Sequence, residues 1–448
     1  MTAMLQSPPQ SITTRVNAHI DDNADQIIEM LRTLLAFRTP SQDPSDTQFE
    51  TDIRRCHKYL EATFAAWGLE QQSWLSTPMT FKEHPIRIAT WKGSGGGKSF
   101  AMNGHVDVVP TGDTQQWSVD PWAGEQRDGK IFGRGACDMK GGVTAMLMAM
   151  RSLQQLGIQP KGDVITHIVS DEEVVGMGTR QIVQKAARPD FVLSTEPTSL
   201  AILPAAGGLE HFRIEFEGVE EHAGRRYASI YPQADEQGHG ISAIDKARIV
   251  MDALESLERD WARTRKHPLF PPGFNTLLPG IVIGGPGGGK DGKLNLFSNP
   301  GTTPNYCSVE YNAWFYPGQT IDEVKAEIEA TVNAAAQQDS WLQSHPPKIT
   351  WALRNIRFPA LDTDASHPLV QQLETISEQV GFHAPVRGFT AAADLSWYSQ
   401  AGIPGVIFGP GDIANAHSPN EFVSIGELIS ATKAIALMIL AWCGFEES

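Results

Sequence analysis

Short motifs scattered along the chain carry imidazole and carboxylate side chains of the kind that bind divalent metal ions. Each lies beside a glycine-rich turn or a β-like run, and they are NGHVDVVP at 103–110, GRGACDMKGG at 133–142, SDEEVVG at 170–176, STEP at 194–197 and AHSPNE at 416–421. The candidate ligands in them are His105, Asp107, Asp138, Glu172, Glu173, Glu196 and His417. Such a mixture suits Zn²⁺, with Co²⁺ or Mn²⁺ as substitutes. Two such ions can polarise a carbonyl group and generate hydroxide near neutral pH, so the set predicts a hydrolase with two divalent metal ions.

Each motif taken alone is weak evidence, because each has an ordinary structural explanation. A lone His-x-Asp such as His105 and Asp107 is usually a polar turn, and a lone Asp138 is usually a helix N-cap. The conjunction is stronger evidence, because the acidic and imidazole positions recur at predicted strand ends, which gather along one edge of an α/β sheet. Alternation along a strand would place Asp107 beside His105, where a carboxylate can fix the tautomer of a metal-binding imidazole.

The acidic residues could divide the chemistry between them. Asp138 has two carboxylate oxygens and could bridge two cations, while the N-terminus of the helix that follows stabilises its charge. Glu172 and Glu173 are adjacent, so their side chains diverge and cannot easily do the same job. One of them could bind a metal ion while the other reaches the attacking water.

Hydrophobic periodicity predicts the framework that would position these residues. The predicted elements of the first part are a loose polar arm at 1–15, a helix around 27–35, strands at 86–93, 100–108, 163–170 and 191–196, and a helix at 143–157. Alternating helices and strands predict an α/β fold, with a mixed or mostly parallel sheet and helices on both of its faces.

The pattern changes near residue 208 and predicts a second, α+β unit. Its predicted elements are strands at 209–218, 276–285, 307–318 and 348–355 and long helices at 241–260 and 320–338. Core-like material then returns, with a helix near 367–380, a strand at 405–409 and a final helix after Ser424. Because His417 lies in this returning part, we expect a discontinuous metal-binding domain at 1–207 and 356–448, interrupted by an insertion at 208–355.

Composition restricts the class of protein. A length of 448 residues predicts two domains, and 41% hydrophobic with 20% charged residues is typical of a soluble globular protein. The net charge of −16 disfavours nucleic acid and anionic membrane surfaces as partners. No membrane span is expected. The four cysteines, Cys56, Cys137, Cys307 and Cys443, lack CxxC spacing and indicate reduced thiols and a cytoplasmic location.

The motifs run in the order found in a known family. From about residue 24 to 445, the chain resembles the metal-dependent aminoacylases, acetylornithine deacetylases, succinyl-diaminopimelate desuccinylases and carboxypeptidases G. The resemblance implies an α/β, di-zinc aminopeptidase-like catalytic domain with an inserted α+β lid and dimerisation domain. It also implies that His105 and Glu196 bind one zinc ion, that Glu173 and His417 bind the other, and that Asp138 bridges the two.

The same resemblance implies roles for three further residues and for the insertion. Glu172 would be the general base that takes a proton from water and passes it to the leaving amine. Asp107 would orient His105. The 208–355 insertion would be a lid that also forms the contact of a homodimer, and His222 within it would reach the partner's site and stabilise the oxyanion.

One position departs from the family pattern. Many relatives carry a lid arginine that binds the substrate carboxylate, and this chain has Trp314 there. Three explanations remain open: another arginine does the work, with Arg225, Arg226 and Arg387 as candidates; the substrate is aromatic or lacks an α-carboxylate; or Trp314 simply packs against the lid.

We therefore expect an amidohydrolase that deacylates an N-acyl amino acid or a related small amide. Cleavage of a dipeptide or of a C-terminal amino acid is the alternative within the same class. A catalytically silent metalloprotein that binds a small ligand is the alternative outside it.

Overall fold

The computed structural model describes residues 7–41, 47–76, 83–174, 176–230, 239–287 and 300–447. In these ranges the helices are α1 Gln10–Asp22, α2 Ala24–Leu35, α3 Thr47–Ala66, α4 Lys140–Gln155, α5 Met177–Lys185, α6 Arg226–Ile230, α7 Ala243–Thr264, α8 Ile321–Ala336, α9 Ser340–Ser344, α10 Pro368–Val380, α11 Leu395–Gln400 and α12 Ile425–Cys443. The strands are β1 Glu70–Leu75, β2 Pro85–Trp91, β3 Phe100–His105, β4 Glu125–Arg127, β5 Lys130–Phe132, β6 Ile158–Pro160, β7 Val164–Val169, β8 Phe191–Ser194, β9 Ile202–Ala206, β10 Gly208–Glu217, β11 Thr276–Gly285, β12 Tyr306–Phe315, β13 Lys348–Trp351, β14 Arg357–Phe358, β15 Leu361–Asp362, β16 Val386–Phe389, β17 Gly405–Ile407, β18 Phe422–Ser424 and β19 Phe445–Glu447.

The chain forms two compact units. Met1–Ala206 and Leu361–Ser448 together make the first, which we call the discontinuous unit, and Gly207–Ala360 makes the second, which we call the inserted unit. The predicted α/β fold with an inserted α+β domain is confirmed.

A nine-stranded mixed sheet forms the centre of the discontinuous unit, in the order β1-β2-β7-β3-β8-β17-β9-β15, with β16 beside β9. The strands β7, β3, β8 and β17 are parallel to one another, so their carboxyl ends lie along one edge. Side chains alternate between two cores: in β8, Phe191 and Leu193 belong to one and Val192 to the other. Burial on both faces explains why these strands are almost uniformly apolar.

Helix α12 packs in the larger of these cores. Among the helices in the described ranges, it alone has the length and apolar composition to cross a membrane. In the structure 72% of that stretch is buried inside the protein, beside α4, α10 and α1. Burial all round explains its apolar composition, because a helix surrounded by core has no polar face.

The prediction of a loose polar arm at 1–15 is wrong from Gln10 onward, because helix α1 begins at that residue. Ile12, Val16 and Ile20 recur every four residues and are buried in the main core. Polar residues between them obscured this spacing in the sequence. Residues 1–6 lie outside the described ranges.

The inserted unit has an antiparallel sheet in the order β11-β12-β10-β13, with β14 also paired to β10. Helices α7 and α8 bury their apolar stripes against it. The predicted capping box of α8 is confirmed, because Thr320 and Glu323 each bond the other's backbone N–H. Strand β11 is an edge of this sheet.

Candidate metal centre

The parallel strands deliver most of the candidate ligands to one edge of the main sheet. His105 is the last residue of β3, Glu172 and Glu173 follow β7, and Glu196 follows β8. Because β7, β3 and β8 are neighbours and run parallel, these side chains leave the sheet close together. Asp138 comes from the turn before α4 and His417 from the loop between β17 and β18.

Asp138 lies between the two imidazoles. Its Oδ1 is 3.2 Å from Nε2 of His105, and its Oδ2 is 3.2 Å from Nε2 of His417. One carboxylate therefore faces both histidines, each with a different oxygen, which is the geometry of a bridging ligand.

Three glutamates complete the two halves of the centre. On the first side, Glu172 and Glu196 each place Oε2 3.9 Å from Nε2 of His105. On the second side, Glu173 places Oε2 3.2 Å from Nε2 of His417. The two adjacent glutamates thus diverge, with Glu173 turned towards His417 and Glu172 towards His105.

The electrostatics of the first half favour a cation. Burial raises the pKa of both Glu172 and Glu196 well above the ordinary value, although His105 opposes the shift. Glu196 Oε1 is buried and has no hydrogen-bond partner in the described part of the chain. Such crowded and incompletely paired carboxylates gain from a metal ion between them.

Both imidazoles lie in a field that favours positive charge. Burial lowers the pKa of His105, but contacts with Asp107 and Asp138 outweigh it and raise the value well above normal. The contacts with Asp138 and Glu173 raise the pKa of His417 to about 10. Burial raises the pKa of Asp138, but the two histidines reverse the effect and lower it.

The donor set fits a divalent metal ion. His105, Asp138 and Glu173 each offer a ligand atom, and these atoms all lie within 4.8 Å of one another. Imidazole nitrogens and carboxylate oxygens are ligands of Zn²⁺ and of Mn²⁺ or Co²⁺.

Asp107 contacts the His105 ring through its backbone carbonyl as well as through its carboxylate. Nδ1 of His105 is 2.9 Å from the backbone carbonyl oxygen of Asp107 and 3.5 Å from its carboxylate Oδ1. The other carboxylate oxygen accepts hydrogen bonds from Ser41 Oγ at 2.9 Å and from the backbone N–H of Glu173 at 3.2 Å. Asp107 therefore ties the His105 segment to the Glu173 loop.

Sequence reasoning overlooked two charged residues inside its own motifs. Glu421 ends AHSPNE and Arg134 lies in GRGACDMKGG, and the two form a buried ion pair beside Asp138. The sequence did contain a signal for this ion pair, because Arg134 and Glu421 have opposite charges and lie in two motifs that both supply candidate ligands.

The arginines proposed for carboxylate binding already have partners. Arg387 of the discontinuous unit donates to the backbone carbonyl of Thr198 at 3.3 Å. In the inserted unit, Arg225 and Arg226 pair with carboxylates at 2.9 Å and 2.6 Å. Each of these three arginines therefore already has an acceptor within its own unit.

His222 and Trp314 also belong to the inserted unit. His222 is exposed, and its Nδ1 accepts a hydrogen bond from the backbone N–H of Gly224 at 3.1 Å. Trp314 is half-buried on β12, with its ring centroid 6.0 Å from that of Phe274. Its indole ring thus packs within its own unit and keeps part of its surface open.

Residues 101–441 match the model of Peptidase family M20/M25/M40. The N-formyl-4-amino-5-aminomethyl-2-methylpyrimidine deformylase of Halalkalibacterium halodurans is 30% identical over 442 residues, which are 97% of this chain and 98% of the relative. The acetylornithine deacetylase of Myxococcus xanthus is 27% identical, with 86% of this chain and 91% of the relative covered. The YXEP protein of Bacillus subtilis, described as a dinuclear metal-binding peptidase, has the same fold, with a TM-score of 0.61 at 15% identity over 94% of this chain and 99% of that one.

Proposed function

From the premise that the chain belongs to peptidase family M20/M25/M40, we propose that it removes a small acyl group from an amine. Membership makes it a metal-dependent hydrolase of amide bonds, as the sequence predicted. The observation that carries the proposal is Asp138, whose two oxygens each lie 3.2 Å from one imidazole.

We assign two divalent metal ions to this centre, with Zn²⁺ as the native pair and Co²⁺ or Mn²⁺ as substitutes. His105 and Glu196 would hold one ion, Glu173 and His417 would hold the other, and Asp138 would contact both. When bound, such a pair polarises the amide carbonyl and lowers the pKa of water. The contacts of Asp107 with His105 and with the Glu173 loop support this assignment, because metal-binding imidazoles need an oriented ring.

Glu172 would move the proton. Glu173 is turned towards His417 and Glu196 is assigned to the first ion, which leaves Glu172 as the glutamate available to the reacting groups. Burial raises its pKa above the usual value, which favours retention of a proton that its carboxylate accepts from the attacking water. The same carboxyl group would then deliver that proton to the leaving nitrogen.

His222 would donate a hydrogen bond to the developing oxyanion. Its Nδ1 already accepts from Gly224, so the proton of a neutral ring lies on Nε2. Nε2–H on an exposed imidazole is a free donor of the kind that stabilises negative charge in a transition state. We assign this action to the site of a partner subunit in a homodimer.

Strand β11 supports the homodimer. It is an edge of its sheet, and Leu278, Ile281 and Val282 on it are 59%, 45% and 54% exposed. Residues 278–282 are all exposed, so none of the described residues covers either face of this stretch or pairs with its outer edge. An apolar edge strand of this kind is a template for pairing with another strand, and a second copy of this chain offers the same surface.

We predict that Val282→Lys converts the dimer into a monomer, because an edge lysine opposes strand pairing. The dimer dissociation constant should rise by at least about 30-fold, the effect of a central interface residue. Activity should fall in parallel, since His222 would lose its partner's site. Analytical ultracentrifugation with a matched Leu75→Lys change, on an exposed edge strand of the other unit, provides the measurement and its control. An unchanged dimer, or a wild-type monomer, would contradict this interface.

We propose further that the substrate amine is aromatic and lacks an α-carboxylate. Trp314 replaces the arginine that would bind a carboxylate, and together with Phe274 it offers an aromatic surface. Arg225 and Arg226 are each occupied by a carboxylate, so neither is a free clamp. The relative from Halalkalibacterium halodurans is named for an N-formylated aminomethylpyrimidine, which has this character.

The test is a substrate panel after the metal ions have been removed with a chelator and replaced by Zn²⁺, Co²⁺ or Mn²⁺. We predict no turnover by the metal-free enzyme and a kcat/KM at least about tenfold higher for N-formyl-4-amino-5-aminomethyl-2-methylpyrimidine than for N-acetylornithine or dipeptides. A preference for the amino-acid substrates would reject the aromatic assignment. Silence across the panel with two ions bound would favour a binding protein.

A cytoplasmic location completes the proposal. All four cysteines are free and buried. The net charge of −16 supports small uncharged or cationic amides as partners rather than nucleic acid or anionic membranes.

A further inference from the structure

One carboxylate holds the backbone that carries the bridging aspartate. Oε1 of the buried Glu421 accepts hydrogen bonds from the N–H groups of Gly135, Cys137 and Asp138, at 3.0, 2.9 and 3.0 Å. Three charge-assisted bonds to one oxygen fix the direction of this turn. The position of the Asp138 side chain therefore depends on Glu421.

Arg134 extends this contact to a third segment. Its Nη1 pairs with Oε2 of Glu421, and its Nη2 donates to the carbonyl of Pro110 at 3.2 Å. The backbone carbonyl of Glu421 also accepts from the N–H of Gly133 at 2.9 Å. The ion pair thus joins the 103–110, 133–142 and 416–421 motifs, each of which carries candidate metal ligands.

The two imidazoles differ in the exposure of their side chains and in the elements that position them. His105 ends a central strand, its side chain is 1% exposed, and Asp107 bonds its ring. The His417 side chain is 53% exposed, and its backbone has φ 59°, which a non-glycine residue adopts only when its surroundings impose it. Glu421 lies four residues after His417 and anchors this loop through Arg134 and the three N–H groups, while Asn420 anchors it by accepting from the backbone N–H of Ser118 at 2.6 Å.

We propose that Glu421, paired with Arg134, is a positioning residue that sets the separation of Asp138 and His417 and so determines the affinity of the second metal ion. By the second ion we mean the one assigned to Asp138, Glu173 and His417. The inference rests on the two-metal function proposed above. The first ion shares Asp138, but its other ligands, His105 and Glu196, are positioned by the sheet and Asp107, so it depends less on Glu421.

The test is Glu421→Asp, which keeps the charge but shortens the side chain by one methylene group. It then cannot reach the three N–H groups and Arg134 together. We expect the second metal equivalent to bind 10- to 100-fold more weakly, the usual effect of losing a residue that orients ligands, while the first, which shares Asp138 but not His417, weakens by less than about tenfold. Titration of the metal-free protein with Zn²⁺ and with Co²⁺, followed by metal analysis and the Co²⁺ absorption spectrum, measures both equivalents. His417→Ala identifies the second equivalent, because it should lose the same one.

A matched control comes from the inserted unit. Glu210 is also buried, accepts the N–H of Ala352 at 2.6 Å and lies near Lys325 and Arg357. Glu210→Asp should leave both metal affinities unchanged. If Glu421→Asp fails to fold, the double change Arg134→Met with Glu421→Gln removes both charges and keeps an oxygen for the three N–H groups. That variant should bind the second ion within about tenfold of wild type.

Several outcomes would overturn the inference. Wild-type affinity for both ions in folded Glu421→Asp would do so, as would equal weakening of both sites. In the double variant, a second-ion affinity as poor as that of His417→Ala would count against the role of the three N–H bonds. A wild-type chain that binds fewer than two ions would instead reject the two-metal function itself, so the two failures are distinguishable.

Discussion

Replacing Glu172 with glutamine is expected to lower kcat by about 10²- to 10⁴-fold while each chain still binds two metal ions. Glutamine keeps the size of the side chain but cannot accept a proton from water. Glu172 is not among the residues assigned as ligands, whereas Glu173 lies 3.2 Å from His417, so the loss of the Glu172 carboxylate should spare both ions. Steady-state kinetics with metal analysis of the same samples measures both quantities.

Glu173→Gln provides the matched control for this prediction. The change is chemically identical and affects the adjacent residue, but Glu173 Oε2 is 3.2 Å from Nε2 of His417. This variant should therefore lose metal as well as activity. If Glu172→Gln kept near wild-type turnover, or if it lost metal as Glu173→Gln does, the assignment of Glu172 as general base would be wrong.

Asp138→Ala is expected to have the largest effect of any single change. It removes the group that faces both imidazoles, so both metal equivalents should weaken by more than the 10- to 100-fold typical of residues behind the ligands. Turnover should become undetectable at metal concentrations that saturate the wild type. Competitive titration with a chromophoric chelator measures the two affinities.

Asp138→Asn tests whether Asp138 contacts both metal ions or acts only through its negative charge. Asparagine keeps one acceptor oxygen and replaces the other by an NH₂ group, so it can serve one ion but not both. We expect one equivalent to remain measurable and the other to be lost. Retention of two tight ions in the alanine variant would mean that Asp138 does not bridge.

The sequence predicted the parts of this structure that repeat or alternate. Apolar runs indicated the buried strands, and parallel strand ends explain why Glu172 and Glu196 lie near His105 although the chain separates them. The first helix escaped prediction because polar residues surround Ile12 and Val16. Helix propensity alone predicts a short helix poorly, because most of the stability of such a helix comes from packing against the core.

Periodic patterns in the sequence could not predict the contacts between segments that lie far apart in the chain. Glu421 bonds backbone N–H groups that precede it by more than 280 residues, and backbone donors leave no trace in residue type. The hydrogen bond from His105 to the Asp107 carbonyl is invisible for the same reason. Periodicity indicates which face of an element is buried, and only the folded chain shows which backbone group meets which side chain.

The discontinuity of the main unit also bears on how the protein is made. Leu361–Ser448 supplies β17, which lies between β8 and β9 in the main sheet, and α12 in its core. A nascent chain on the ribosome therefore has all of Gly207–Ala360 available for folding while the main sheet still lacks an internal strand. Domains fold as units during translation, so we expect that the inserted unit can fold first, whereas the metal centre cannot form until His417 has been synthesised.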